Sequence, residues 1–193
     1  MQAALQHIAA KGTERLSLRA LARESGVSAT APYRHFPSKR CLLAALATRG
    51  FRELEQATRD GLQSSMGLEE KFMAMGRAYV NYAVSNPTSY NLMFGSVLSD
   101  FSSYEMLEQA SIDCYSVVLD VLEELIEARG MEITPVELGG VVWAGVHGLA
   151  SFLIHQESMP IDHADSTPRA SLNYLHRNPD KALQILFSSL PET

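Results

Sequence analysis

The stretch that decides the fold runs from Ser17 to Lys39 and reads Ser-Leu-Arg-Ala-Leu-Ala-Arg-Glu-Ser-Gly-Val-Ser-Ala-Thr-Ala-Pro-Tyr-Arg-His-Phe-Pro-Ser-Lys. Ser17 is a favoured N-cap, and behind it Leu18, Leu21 and Ala22 fall on one face of a helix. That helix stops at Ser25-Gly26-Val27, and Ser28 opens a third short helix predicted to run to about Phe36. Pro32 falls within or next to its first turn, where a missing N–H distorts the turn without abolishing the helix. Two short helices, a glycine turn and small leading side chains are what a helix-turn-helix requires to enter a major groove. Val27 is expected to plug the angle between the helices. Ser28, Ala29, Thr30 and Ala31 present the compact leading edge.

Working outward, the residues around this edge suit phosphates: Ser17 at a helix N-terminus, Tyr33, Arg34 and His35 late in the third helix, and Lys39 at the start of the fourth. Phosphate contacts set register and supply most of the affinity without reading sequence. The charge balance points the same way. Residues 1–50 carry eight Lys/Arg against two acids, whereas residues 51–193 carry eight against twenty, so the formal net charge of −6 hides a basic head on an acidic body. Only such a basic end gains by releasing counterions from a polyanion.

The remaining chain reads as all-α. No run alternates strictly in apolar and polar residues, and hairpin turn signals are missing. Residues 1–11 form a first helix with Leu5 and Ile8 inward, closed by Gly12 in a left-handed cap. A long fourth helix begins near Lys39 with Leu42, Leu43, Leu46, Phe51 and Leu54 on its buried side. Leu68, Phe72, Met75, Tyr79 and Tyr82 recur at helical steps on a fifth helix ending at Asn86-Pro87. A short helix follows through Leu92, Met93 and Phe94. Leu107, Ala110, Cys114, Val117, Val121 and Leu125 stripe the next, stopped by Gly130. Thr134-Pro135 then supplies a cap and a first-turn proline. Residues 160–168 read as a polar loop, and Asn178-Pro179 starts a final helix through Leu183, Leu186 and Leu190. The expected architecture is a three-helix helix-turn-helix module, residues 1–50, joined through the long fourth helix to a C-terminal helical bundle, residues 51–193, with about nine helices in all.

Within that bundle Met75, Tyr79, Tyr82, Met93, Phe94, Phe101, Cys114, Trp143 and His147 reach plausible inward positions. Aromatics with flexible thioethers suit a pocket for apolar ligands of variable shape, although each residue taken singly fits an ordinary core equally well. His147 could bond a ligand or a backbone carbonyl. Gly140, Ala144 and Gly148 recur every four residues, a strip on which another helix could pack closely, from this subunit or from a partner.

Other classes of function find less support. Cys114 and His147 could be proposed as nucleophile and base, but Cys114 lies mid-stripe on an apolar helix, where thiols are inert. There is no glycine-rich phosphate loop, no GxSxG elbow and no HExxH pair. His155, Glu157, Asp162 and His163 straddle a helix end and a loop without ligand spacing, so neither a metal nor a cofactor is expected. Cys41 and Cys114 read as core thiols of a reducing compartment. The first residues lack the basic patch, apolar run and cleavage site of a leader, and the longest uncharged stretch, residues 138–154, carries His147 and four glycines, which fits a buried helix better than a membrane span. A cytoplasmic protein is expected. A helical interaction module with a vestigial DNA head is the remaining alternative.

The run from Leu18 to Ser28, followed by Ala31-Pro-Tyr-Arg-His-Phe-Pro-Ser-Lys39 and Leu42-Leu43, resembles the DNA-binding domain of the tetracycline-repressor (TetR) family. A second stretch, Tyr82-Ala83, Asn86-Pro87, Tyr90, Met93-Phe94 and Trp143-Ala-Gly-Val-His147-Gly148, is similar to the C-terminal domain of its Trp-His-Gly subgroup. The resemblance implies that Ser17, Tyr33, His35 and Lys39 touch phosphates while Ala29, Thr30 and Ala31 face bases. It also implies a homodimer through the last two long helices, for which Val136–Phe152 and Asn178–Leu190 are the candidates, bound to double-stranded operator DNA and released by a small apolar ligand. That family usually carries a longer N-terminal arm with a basic residue; here Met1 and Gln2 alone precede the first apolar positions.

Overall fold

A computed structural model describes residues 1–98, 100–155 and 168–191. Among the described residues there are nine α-helices, two 3-10 turns and no strand. The helices are α1 (Gln2–Lys11), α2 (Leu18–Glu24), α3 (Lys39–Gly61), α4 (Leu68–Ser85), α5 (Pro87–Phe94), α6 (Glu105–Arg129), α7 (Pro135–His155), α8 (Pro168–Arg177) and α9 (Pro179–Ser188). The 3-10 turns are Pro32–Arg34 and Ser96–Leu98. The chain divides into two compact units, Met1–Glu53 with Asn86–Ile112, and Leu54–Ser85 with Asp113–Thr193. The long helices α3 and α6 each contribute residues to both.

In the first unit α2 forms as its sequence requires. Ser17 Oγ accepts the Ala20 N–H at 3.1 Å, and Leu18, Leu21 and Ala22 are buried. Its far end closes through Gly26 at φ +68°, with Gly26 N–H bonded to Arg23 O and Val27 N–H to Ala22 O. This pair of bonds satisfies two orphan carbonyls, and the left-handed backbone it needs is open to glycine without strain. Gly12 also has positive φ, +79°, but its ψ of 163° lies outside the left-handed helical well expected there. Phe51 of α3 meets Phe94 at 5.4 Å and Phe101 at 5.8 Å, both edge-on, an arrangement that adds to simple burial.

Two expectations for the head need correction. The third helix does not run from Ser28 to Phe36: its only regular piece is the 3-10 turn Pro32–Arg34. Pro32 has no N–H to offer Ser28, and most of the bonds that do form, Ala31 to Ser28, Tyr33 to Thr30, Arg34 to Ala31 and His35 to Pro32, span three residues; Phe36 to Pro32 alone spans four. Val27 does not plug the angle between the helices; it is 50% exposed. As the residue after Gly26 it lies outside α2, and no regular helix follows to cover it.

The second unit has one continuous core built from Phe72, Met75, Val80, Val121, Leu122, Leu125, Leu138, Val142, Val146, Leu149, Leu183 and Phe187. Phe72 packs on Phe187 at 5.1 Å, and burial of such a ring contributes roughly 2 kcal/mol. The Arg129 guanidinium lies 4.8 Å over the Phe187 ring and donates to the Leu190 and Pro191 carbonyls at 3.3 Å. At the other end of α9, Arg77 pairs with Asp180 at 2.9 Å. Helix α7 opens on a capping box, with Glu137 Oε2 accepting the Thr134 N–H at 2.9 Å and Thr134 Oγ1 accepting the Glu137 N–H at 3.3 Å. Helix α8 was not foreseen in the sequence, and residues 160–167 of the expected polar loop lie outside the described residues.

Candidate nucleic-acid interface and sensor site

The leading edge is open to solvent: Ser28, Ala29 and Thr30 are exposed and Ala31 is half-buried. Ser28 Oγ and Thr30 Oγ1 stand 3.4 Å apart, so two hydroxyls share one small patch. Tyr33, Arg34 and His35 are exposed on the 3-10 turn and behind it. Ser17 is exposed, and its hydroxyl caps α2. Lys39 is half-buried at the start of α3, and its Nζ donates to Glu14 O at 3.2 Å across the α1–α2 connection. Arg15, Arg19, Arg23 and Arg40 are exposed in the same unit.

Sequence reasoning missed what braces this edge. His7, on the inner face of α1, is buried, and its Nδ1 lies 2.9 Å from Glu24 Oε2 while its Nε2 lies 3.2 Å from Arg15 O. Lys11 Nζ donates to the other Glu24 oxygen at 2.9 Å. The His7 and Lys11 donors hold the Glu24 carboxyl far down, from 4.5 to about 2. The one signal in the sequence was the i, i+4 spacing of His7 and Lys11 on α1.

The residues expected to line a sensor pocket divide between the two units. Met93, Phe94 and Phe101 belong to the first, where Met93 is fully buried and the two phenylalanines meet Phe51. Met75, Tyr79, Tyr82, Cys114, Trp143 and His147 belong to the second. Three of these come together: Trp143 Nε1 donates to Tyr79 OH at 3.1 Å, and Tyr79 OH stands 3.0 Å from His147 Nδ1. A phenol oxygen that accepts from the indole still has its own proton to donate, an arrangement that suits a neutral imidazole with Nδ1 as acceptor. Burial pushes the His147 pKa below its ordinary 6.5, in agreement. Met75 is core, one turn before Tyr79, and Tyr82 is buried.

Cys114 is buried and its thiol is pushed up to about 12, chiefly by desolvation and then by Glu55. It is therefore protonated at neutral pH and unsuited to nucleophilic attack. Of the imagined metal ligands only His155 is among the described residues, and its Nδ1 meets Ser151 O at 2.7 Å.

The glycine strip has two sides. A Cβ on Gly139 would strike Tyr115 OH at 2.5 Å, and one on Gly145 would meet Leu186 at 3.0 Å, whereas Gly140 and Gly148 have nothing within 4 Å. Val136, Val141, Trp143 and Phe152 are exposed alongside. By length and composition α7 is the one helix, among the described residues, long and apolar enough to cross a membrane, with 33% of the apolar window buried.

Two family profiles match this chain. "Bacterial regulatory proteins, tetR family" covers residues 1–46, and "Tetracyclin repressor-like, C-terminal domain" covers residues 72–176, more than half of the chain by itself. No curated protein sequence matches. Among solved structures, a protein of unknown function from Rhodococcus sp. RHA1 is 26% identical, with a TM-score of 0.70 over 94% of this chain and 90% of that one. A tetR-family regulatory protein from Rhodococcus RHA1 is 21% identical, with a TM-score of 0.67 over 95% and 93%. The fatty acid degradation regulator FadR of Bacillus halodurans shares the fold at 14% identity, with a TM-score of 0.74 over 100% and 94%. The basic head with its open leading edge, the all-α body and both profile matches agree: this chain belongs to the tetracycline-repressor family and is a DNA-binding transcriptional regulator.

Proposed function

We propose that this regulator is a cytoplasmic homodimeric repressor that holds a palindromic operator and leaves it when a small apolar molecule binds its C-terminal part. The functional division follows residues 1–50 as the DNA-binding head and 51–193 as the sensing and dimerising body. The observation that carries the sensing role is the chain Trp143, Tyr79 and His147, three amphipathic rings linked by hydrogen bonds at the margin of an apolar core. Such a set orients a ligand by a few polar edges while the core accommodates the rest. Met75, Tyr82 and Cys114 supply apolar surface in the same unit, and Met93, Phe94 and Phe101 are candidates on the sequence alone.

In the head, Ala29, Thr30 and Ala31 with Ser28 read base edges, while Ser17, Tyr33, Arg34, His35 and Lys39 hold phosphates. The dimer forms through α7 and α9. Support comes from the open strip of Gly140, Ala144 and Gly148 with exposed Val141 and Phe152, and from exposed Ile185 on α9. Two heads would then engage major grooves about 34–36 Å apart. Release requires the ligand to favour the DNA-incompetent arrangement, since equal affinity for both shifts nothing.

The test begins with selection of bound duplexes from a random pool, followed by titration of the enriched site against salt and then against a panel of apolar small molecules. A palindrome with steep salt dependence, displaced by at least one apolar compound, is the expected result. Absence of salt-sensitive binding would favour an interaction module instead.

A further inference from the structure

Among the described residues His7 is the only buried histidine, and it stands between two groups that can only accept. The Arg15 carbonyl faces Nε2 at 3.2 Å and the Glu24 carboxylate faces Nδ1 at 2.9 Å. A neutral imidazole has one donor; two acceptors at hydrogen-bond distance call for the imidazolium. Arg15 lies two residues ahead of the Ser17 cap, and Glu24 is the last residue of α2. His7 thus ties α1 to both ends of the first helix of the DNA reader.

We propose that His7 is a positioning residue for DNA binding: as an imidazolium it clamps both ends of α2 so that the turn at Gly26 presents residues 28–31, and its deprotonation loosens one end and weakens operator binding as the pH rises. The inference rests on the head being the DNA-binding part. The other charged groups of the surroundings are fixed. Glu24 is held ionised down to about 2, so it cannot lend the missing proton, and its second oxygen is taken by Lys11. Lys39 reaches the connection only through Glu14 O. Helix α5, also packed on α1, brings no acid, base or histidine between Pro87 and Phe94, only the phenol of Tyr90.

The sign follows from donor counting. While the ring is doubly protonated both bonds stand; once it loses a proton one must be lost, and the ion-paired bond to Glu24 becomes at best one from a neutral N–H to the carboxylate. The experiment compares the full chain with and without His7→Gln, His35 being present in both. Operator affinity of the unmodified chain should fall on the order of tenfold between about pH 6 and about pH 8. Adding His7→Gln should remove most of that dependence, because an amide offers the same hydrogen bonds at every pH. Glu24→Gln, which keeps an acceptor but drops its charge, should move the fall to lower pH and serves if His7→Gln does not fold. Ring 15N shifts of His7 in the unmodified protein should report two protonated nitrogens at neutral pH. A flat affinity profile with intact binding, or a neutral His7 ring at pH 7, overturns the inference alone. Failure to retain any duplex at any pH overturns the DNA-binding reading and this inference with it.

Discussion

Leu183 of α9 lies directly over Gly76 of α4: a methyl group on Gly76 would stand 2.8 Å from Leu183 Cδ2 and 3.1 Å from Cδ1. Gly76 and Leu183 are both buried, so there is no free direction for the leucine to retreat. Gly76→Ala should therefore destabilise the protein, since overpacking costs about 1–3 kcal/mol against about 1 kcal/mol gained in helix propensity. Thermal unfolding decides it; a raised Tm would mean that α9 shifts at little cost.

Gly148 is the control and the probe of assembly. Its Cβ direction is open, so Gly148→Ala should keep or slightly raise the stability of the isolated subunit, by up to about 1 kcal/mol. Gly148→Leu should fold and yet weaken self-association, which sedimentation at graded concentration would reveal. Unchanged association would place the dimer contact elsewhere.

On the DNA side, Lys39→Ala and Tyr33→Ala should weaken binding to every sequence alike, and Lys39→Ala, which removes a charge, should also reduce the salt slope by roughly 1. Substitution of Thr30 should change which operator is preferred by about 1–3 kcal/mol per base pair read. Filter binding across operator variants separates the two patterns, and an unchanged salt slope in Lys39→Ala would remove Lys39 from the interface.

Trp143 is the single tryptophan and lies 5.4 Å from the His147 ring, so its emission reports that imidazole. Burial lowers the His147 pKa, hence the emission should change at a pH below 6.5 and His147→Gln should abolish the change. The sign for stability follows. Above about 6.5 the ring is neutral folded or unfolded and burial costs nothing; as pH falls below that, the unfolded chain takes up the proton first and the fold loses stability. A titration midpoint above 6.5 would contradict a half-buried ring held neutral.

Much of this was legible in the sequence because it depends on local chemistry. Ser17, Gly26, Gly130 and Thr134-Pro135 cap or end helices through bonds within a few residues, and the stripes of α3, α4 and α6 bury the faces that their spacing marked. The third helix of the head was misread because backbone donors decide it: one proline removes the donor to Ser28 and leaves mostly three-residue bonding. Helix α8 escaped because its ten residues are polar on balance and its apolar positions, Leu172 and Leu175 among them, make only one short stripe. His7 escaped for another reason. Its partners lie eight and seventeen residues away, and only the folded backbone brings a carbonyl and a carboxylate to opposite sides of one ring.

The closure of α2 has a practical side. Its bonds run among residues 21–27, while those behind the leading edge run among residues 28–36, so no backbone hydrogen bond joins the two sets. The reading segment is in effect a detachable cassette: residues 28–36 could be exchanged for those of a relative, carrying its operator preference along, while the helix before and the Ser38-capped helix after keep every bond they make for themselves.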